Sequence, residues 1–182
     1  MAALSEEAVL AAQRGEPAAL NEVYRALSPA VLGYFVSRRV EDPEGLTSEV
    51  FLAVLPRLTS VTGGVSGLRS LVFSVAHARH VDDVRRRSRQ VPTVGYEPEL
   101  DTRSSPAAED AALANDAQAR AIELLASLPP DQAEVLRLRI LGDLSLEQVS
   151  EIMGRSQGAI KQLQRRGLLA LRGVLSAGGV TR

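Results

Sequence analysis

The chain has 182 residues, room for one domain or two small ones, and 45% of them are hydrophobic while only 3% are aromatic. With no tryptophan and no cysteine, the core has to be built from Leu, Val, Ile and Ala, and disulfides, thiolate metal sites and cysteine nucleophiles are excluded. The net charge of −1 hides a segregation: residues 69–89 hold six Arg against two acids, 155–182 hold six basic residues and no acid, and 91–123 hold seven acids against two Arg. Two separate basic blocks are the footprint of localised phosphate contact. No stretch approaches the roughly 18 apolar residues of a membrane span, and the N-terminus is acidic rather than signal-like. A cytoplasmic protein without membrane insertion is expected.

Leu and Ala favour helix, and the apolar residues recur at helical spacing, so an all-α fold is expected. The first helix covers residues 5–13, with Val9 and Leu10 on its apolar side, and Gly15-Glu16-Pro17 breaks it. A second starts at Pro17 and carries Leu20, Val23, Tyr24 and Leu27. Residues 31–40 form either a third helix or a continuation of the second through Pro29. Glu41-Asp42-Pro43-Glu44 opens the next, whose buried stripe is Leu46, Val50, Phe51, Val54 and Leu55. Residues 56–67, with paired glycines, read as a loop. Helical spacing resumes over 68–89, with Leu71, Val72, Val75, Ala76, Ala78 and Val81 inward and Arg79, Arg85 and Arg86 mostly outward. Residues 90–108 contain Pro92, Gly95, Pro98 and Pro106 and mark a domain boundary. A helix over 106–127 follows, with Leu113, Ala117, Ala121, Leu124, Leu125 and Leu128 on its apolar side.

The last third is the most informative. A helix over 132–141 ends in a Gly142-Asp143 turn. Ser145 and Gln148 have the spacing of a capping box for the next helix, whose inner face is Leu146, Val149 and Ile152. Gly154 ends it, and Ser156 caps a final helix with Ile160, Leu163, Gly167, Leu168 and Leu171 inward. Helix, tight turn and helix in these proportions make a helix-turn-helix. Such a unit offers the N-terminal side chains of its second helix to the major groove. Here these are Arg155, Ser156, Gln157, Ala159 and Lys161, with Gln162, Arg165 and Arg166 further along. Gln pairs with adenine, and Arg or Lys with guanine; Arg165 and Arg166 are assigned mainly to phosphates.

The segment LPPDQAEVLRLRILGDLSLEQVSEIMGRSQGAIKQLQRRGLLALR resembles, almost without gaps, the sigma-4 domain of the group 4, extracytoplasmic-function sigma factors of bacterial RNA polymerase. LTSEVFLAV resembles the helix by which that family binds the polymerase clamp, and LVFSVAHARHVDDVRRRSR the segment that opens and reads the −10 element. The resemblance spans roughly residues 5–175. It implies two helical domains joined by a flexible linker: a sigma-2-like domain (1–90), a linker (91–108) and a sigma-4-like domain (109–182). It also implies core polymerase as partner, through the β′ clamp and β flap, together with promoter DNA and an anti-sigma factor. Carried over by position, Glu49, Val50 and Ala53 would meet the clamp. His77, Arg79, His80, Arg85, Arg86, Arg87 and Arg89 would serve the −10 element, and the basic residues of the last helix the −35 element. Asp82 stands at the family's common Asp. Leu71 and Ala78 stand where Trp and Asn are frequent.

A two-domain helix-turn-helix regulator that never touches polymerase is the alternative. It would need a ligand or phosphoacceptor domain, and residues 1–90 offer neither a strand pattern nor an apolar pocket. A sigma-like scaffold that has lost promoter opening is a third reading, for which Leu71 and Ala78 leave room. His77 and His80, at i and i+3 beside Asp82 and Asp83, suggest a divalent-metal site only weakly, and no Ser-His-Asp or phosphate-loop arrangement is formed. No catalytic residue, cofactor or metal is expected.

Overall fold

The computed structural model describes residues 4–89 and 120–178, and every regular element among them is helical. In the first unit α1 (Glu6–Gln13), α2 (Pro17–Val36), α3 (Pro43–Val54) and α4 (Gly64–Arg89) surround an apolar core, with a 3-10 helix at Leu55–Ser60, and the same buried cluster continues into the second unit through Val135, Leu138, Leu144, Val149 and Ile160. In the second, a helical segment over 120–126 (α5) precedes α6 (Pro130–Ile140), α7 (Leu146–Met153) and α8 (Gln157–Gly178). The expected linker, and the expected helix before residue 120, lie outside the described residues. Among the described residues no helix is long and apolar enough to cross a membrane.

Local chemistry places most helix ends. Ser5 caps α1 by accepting from Ala8 N at 3.0 Å, and Asp42 caps α3 by accepting from Gly45 N at 2.7 Å with Pro43 behind it. α2 runs unbroken through Pro29, so residues 17–36 are one helix. An interior proline costs about 3 kcal/mol; Ala30, Val31, Tyr34 and Phe35, all buried beyond it, offset that cost.

The segment expected as a loop over 56–67 is more ordered than its composition suggests. Leu58 is driven into the core and folds the 3-10 turn around itself. α4 then starts four residues early, at Gly64. Gly63 and Gly64 both take positive φ (80° and 58°), and the Glu6 carboxylate of α1 accepts from Val65 N at 3.1 Å. The positive φ favours glycine at 64, and a Cβ there, 1.9 Å from that carboxylate, would push Glu6 aside and cost the Val65 bond.

Some facing assignments change. Leu10 of α1, Ala78 of α4 and Leu168 of α8 are exposed rather than inward, and Tyr24 stays partly exposed while packing edge-on against Phe51, ring centroids 4.8 Å apart. Phe73 of α4 is fully buried. Tyr34, Phe35 and Phe51 are core residues as well.

Candidate nucleic-acid and polymerase interfaces

The helix-turn-helix is built from local bonds. Ser145 Oγ accepts from Gln148 N at 3.1 Å while Gln148 Oε1 accepts from Ser145 N at 2.8 Å, which closes the capping box on α7. Gly154 ends α7 in the left-handed conformation, φ 61°, and Arg155 N donates back to Ser150 O at 3.1 Å. Ser156 Oγ then accepts from Ala159 N at 3.3 Å and starts α8. Ile160, fully buried with Leu138, Leu144 and Val149, fixes the angle at which α8 leaves the turn.

That angle leaves Arg155, Ser156, Gln157, Lys161, Gln162, Arg165 and Arg166 exposed, with Ala159 half-buried beside them. All eight residues therefore fall on one turn and one helix. Arg155 is also ion-paired with Asp131 of α6 at 2.6 Å, which ties the turn to the preceding helix. Sequence reasoning missed Arg172. It lies beyond Lys161 and Arg165 in a surface cleft of about 320 Å³ that also touches Leu146, Gln164, Leu168 and Leu169. Its spacing of seven from Arg165, two helical turns, was the available signal.

The basic end of α4 is organised by one buried acid. Asp83, only 6% exposed, accepts from Arg86 at 2.9 Å and pairs with Arg87 at 2.7 Å. The carboxylate bond and charge hold the Arg86 guanidinium above its ordinary pKa. Arg85 lies 3.8 Å from Asp82, Arg89 is exposed, and Arg79 is half-buried at 3.7 Å from Glu49 instead of pointing freely outward. The two histidines do not share this exposed end. His77 donates from Nδ1 to Glu134 Oε1 at 2.7 Å, on α6 of the other unit, and burial followed by the Arg38 charge lowers its pKa.

His80 is half-buried as well, and burial, with Arg38 and His77 adding to it, pushes its pKa down to about 4. It is neutral in the fold. Below the ordinary value of 6.5 an unfolded chain takes the proton that folded His80 refuses, so its contribution to stability is full above pH 6.5 and lost progressively towards about 4. Melting temperatures measured across that range are expected to fall further for the wild type than for His80→Asn. Parallel curves would mean that His80 binds its proton equally in both states.

On α3, Glu49 is exposed and Ala53 half-buried, but Val50 is fully buried. Val50 is therefore no part of the exposed face of α3, on which the resemblance places the clamp contact; it supports that face from behind, one turn from Leu46 and Val54 in the same stripe. Leu52, 72% exposed, was missed. The stripe is complete without it, and an apolar residue off a complete stripe was the sign. Leu71 packs partly buried against the core, as a substitution for a core residue should, whereas exposed Ala78 puts a methyl group on the surface of α4.

Residues 124–173 match the family Sigma-70, region 4. The ECF RNA polymerase sigma factor BldN of Streptomyces coelicolor is 32% identical over 170 residues, covering 91% of this chain and 63% of that protein. ShbA of Streptomyces griseus, another ECF sigma factor, is 30% identical over 172 residues, with 88% of this chain and 90% of that protein covered. SigD of Mycobacterium tuberculosis is 30% identical over 183 residues, 95% of this chain and 85% of that protein. A chain in the solved structure of CnrH in complex with the cytosolic domain of CnrY shares the fold, with a TM-score of 0.63 at 18% identity over 96% of this chain and 99% of that one. With two helical units, a helix-turn-helix at the end of the second, and ECF sigma factors 30% identical over 85–90% of their own length, this chain belongs to the ECF RNA polymerase sigma factors.

Proposed function

We propose that this chain binds core RNA polymerase and directs it to promoters, with residues 1–90 engaging polymerase and the −10 element and residues 109–182 the −35 element. The observation that carries this is the pair of exposed basic faces, the Arg85–Arg89 end of α4 and the first three turns of α8, one on each helical unit of a single chain. Neither face is large enough to bind duplex tightly by counterion release alone, and the acidic segment between them repels phosphate. Two modest contacts joined in one subunit, and anchored by polymerase, give the specificity that either lacks.

Glu49, Ala53 and Leu52 form the exposed part of α3 offered to the β′ clamp, and the exposed Leu168 and Leu169 of α8 border the −35 face near the expected β-flap contact. An anti-sigma factor would act by covering the α3 face, the α8 face or both. The chemistry of initiation stays with the polymerase; this subunit supplies binding and strand separation. The regulator reading is disfavoured by the all-helical first unit, which leaves no strand-based receiver or ligand fold among the described residues.

Run-off transcription with purified core polymerase, on fragments of the gene's own upstream DNA, tests the proposal. A discrete transcript that depends on this protein is expected. Failure to bind core at all would leave the regulator reading in its place. In the same assay Arg165→Ala should weaken binding to all promoter sequences alike and lower the salt slope by about one, the signature of a lost phosphate contact. An unchanged slope would take Arg165 off the DNA face.

A further inference from the structure

One charged residue of α4 stands where the apolar stripe of that helix would put a hydrophobic one. Leu68, Val72, Phe73 and Ala76 are buried along α4, and Asp83 continues their line, seven residues beyond Ala76 and only 6% exposed. A buried ion pair is often no more stabilising than an apolar side chain of the same volume, so packing alone gives no reason for a carboxylate here. Its two oxygens are divided between two partners. Oδ1 accepts from Arg86 at 2.9 Å, and Oδ2 is paired with Arg87 at 2.7 Å. The other pairs on this helix differ in kind. Arg79 with Glu49 at 3.7 Å and Arg85 with Asp82 at 3.8 Å are exposed on both sides, and water screens such pairs too well for either partner to be held firmly.

Burial makes Asp83 an anchor, because a fixed carboxylate fixes whatever bonds to it. An arginine side chain has many rotamers, and a phosphate that binds a free one has to order it first. Each guanidinium carries five N–H donors, so a bond to Asp83 leaves others for a second anion. The side chains of Arg86 and Arg87 are 60% and 39% exposed, so both reach solvent from the same buried acid. They do so at the mouth of a cleft of about 310 Å³ whose far wall is Glu41, Asp42, Leu46 and Glu49 of α3. Without the anchor, Arg85, Arg86, Arg87 and Arg89 would repel one another at the end of the helix.

We propose that Asp83 is a positioning residue for promoter DNA: it holds Arg86 and Arg87 side by side, oriented for phosphate, at the exposed end of α4. This rests on the −10 reading proposed above. It also reverses the simple electrostatic expectation. An acid beside a DNA face repels phosphate, and neutralising it should tighten binding. An acid that orients two arginines should, once neutralised, leave binding weaker.

The sign is read with holoenzyme, core polymerase saturated with this protein, on the fragment of the gene's own upstream DNA that yields the run-off transcript. Asp83→Asn is expected to weaken binding roughly tenfold, the effect of losing one oriented charge-assisted hydrogen bond, and to lower the salt slope by about one. In an Arg86→Ala/Arg87→Ala background the same substitution should change nothing further. Asp83→Leu, which fills the buried position without charge, should bind as weakly, and it carries the test if Asp83→Asn does not fold. Tighter binding with a steeper slope, unchanged binding, or a loss that persists without the two arginines would overturn the proposal. In the free protein at low temperature, guanidinium Nη–H resonances of Arg86 and Arg87 should be present in the wild type and lost in Asp83→Asn. Their absence from the wild type would overturn the hold itself. If they behave as expected while the wild type gives no protein-dependent transcript, it is the promoter reading that fails, and the role of Asp83 toward DNA falls with it.

Discussion

Phe51→Ala is expected to unfold the first unit while leaving the helix-turn-helix intact. Phe51 is 2% exposed and fills the space between α2 and α3, edge-on to Tyr24. Truncating a buried Phe costs about 3–5 kcal/mol, through lost transfer energy and the cavity left behind. That is a large fraction of the stability of a domain of this size. Polymerase binding should fall with it, because the face of α3 proposed to meet polymerase, with Glu49 and Ala53, lies opposite the damaged core. Denaturant titration beside a core-polymerase pull-down checks this. A variant that melts like the wild type yet no longer binds polymerase would make Phe51 a direct contact, and the core assignment would be wrong.

Ile160→Ala should have the second-largest effect, on the other unit. Ile160 sits in the first turn of α8, fully buried, and its amide donates to Ser156 O at 3.0 Å. Replacing a buried Ile with Ala costs about 2–5 kcal/mol. The loss falls on the joint that sets the angle of α8, the helix proposed to face DNA, so −35 binding should be lost at a temperature where the wild type still binds. Lys161→Ala, one residue on and exposed, is the contrast: it should change stability by no more than about 0.5 kcal/mol and weaken only DNA binding. Equal melting curves for Ile160→Ala and Lys161→Ala would mean that α8 is held by something other than this core.

Much of the second unit is legible in the chain because its signals are local. Ser145 and Gln148, Gly154, and Ser156 act within three or four residues of themselves, so the helix ends and the turn follow from short stretches of sequence. The same holds for Ser5 and for the Asp42-Pro43 start of α3. The exposed basic face of α8 is legible for a related reason: a helical period already separates Ile160 and Gly167 from Lys161 and Arg165.

The rest depends on partners far away in the chain. Whether α2 continues through Pro29 is decided by the burial of Val31 and Tyr34, which can outweigh a local cost that sequence alone reads as a break. The 55–60 turn forms because Leu58 finds a core, and α4 starts at Gly64 because Glu6, 59 residues before Val65, caps it. Val50 points inward and Leu52 outward on the same helix, a choice set by what packs against α3. The fate of His77 is the clearest case. The residues that follow it include Arg79, Asp82 and Asp83, suited to a solvent-facing helix, yet its partner is Glu134, 57 residues away. The chain by itself therefore determined the family, the all-helical class and the helix-turn-helix, because these rest on spacing within a few turns. Only the tertiary structure decided which charged side chains stay exposed and which, like Glu134 and Arg137, are buried between the two units, because burial is a property of the assembled surface.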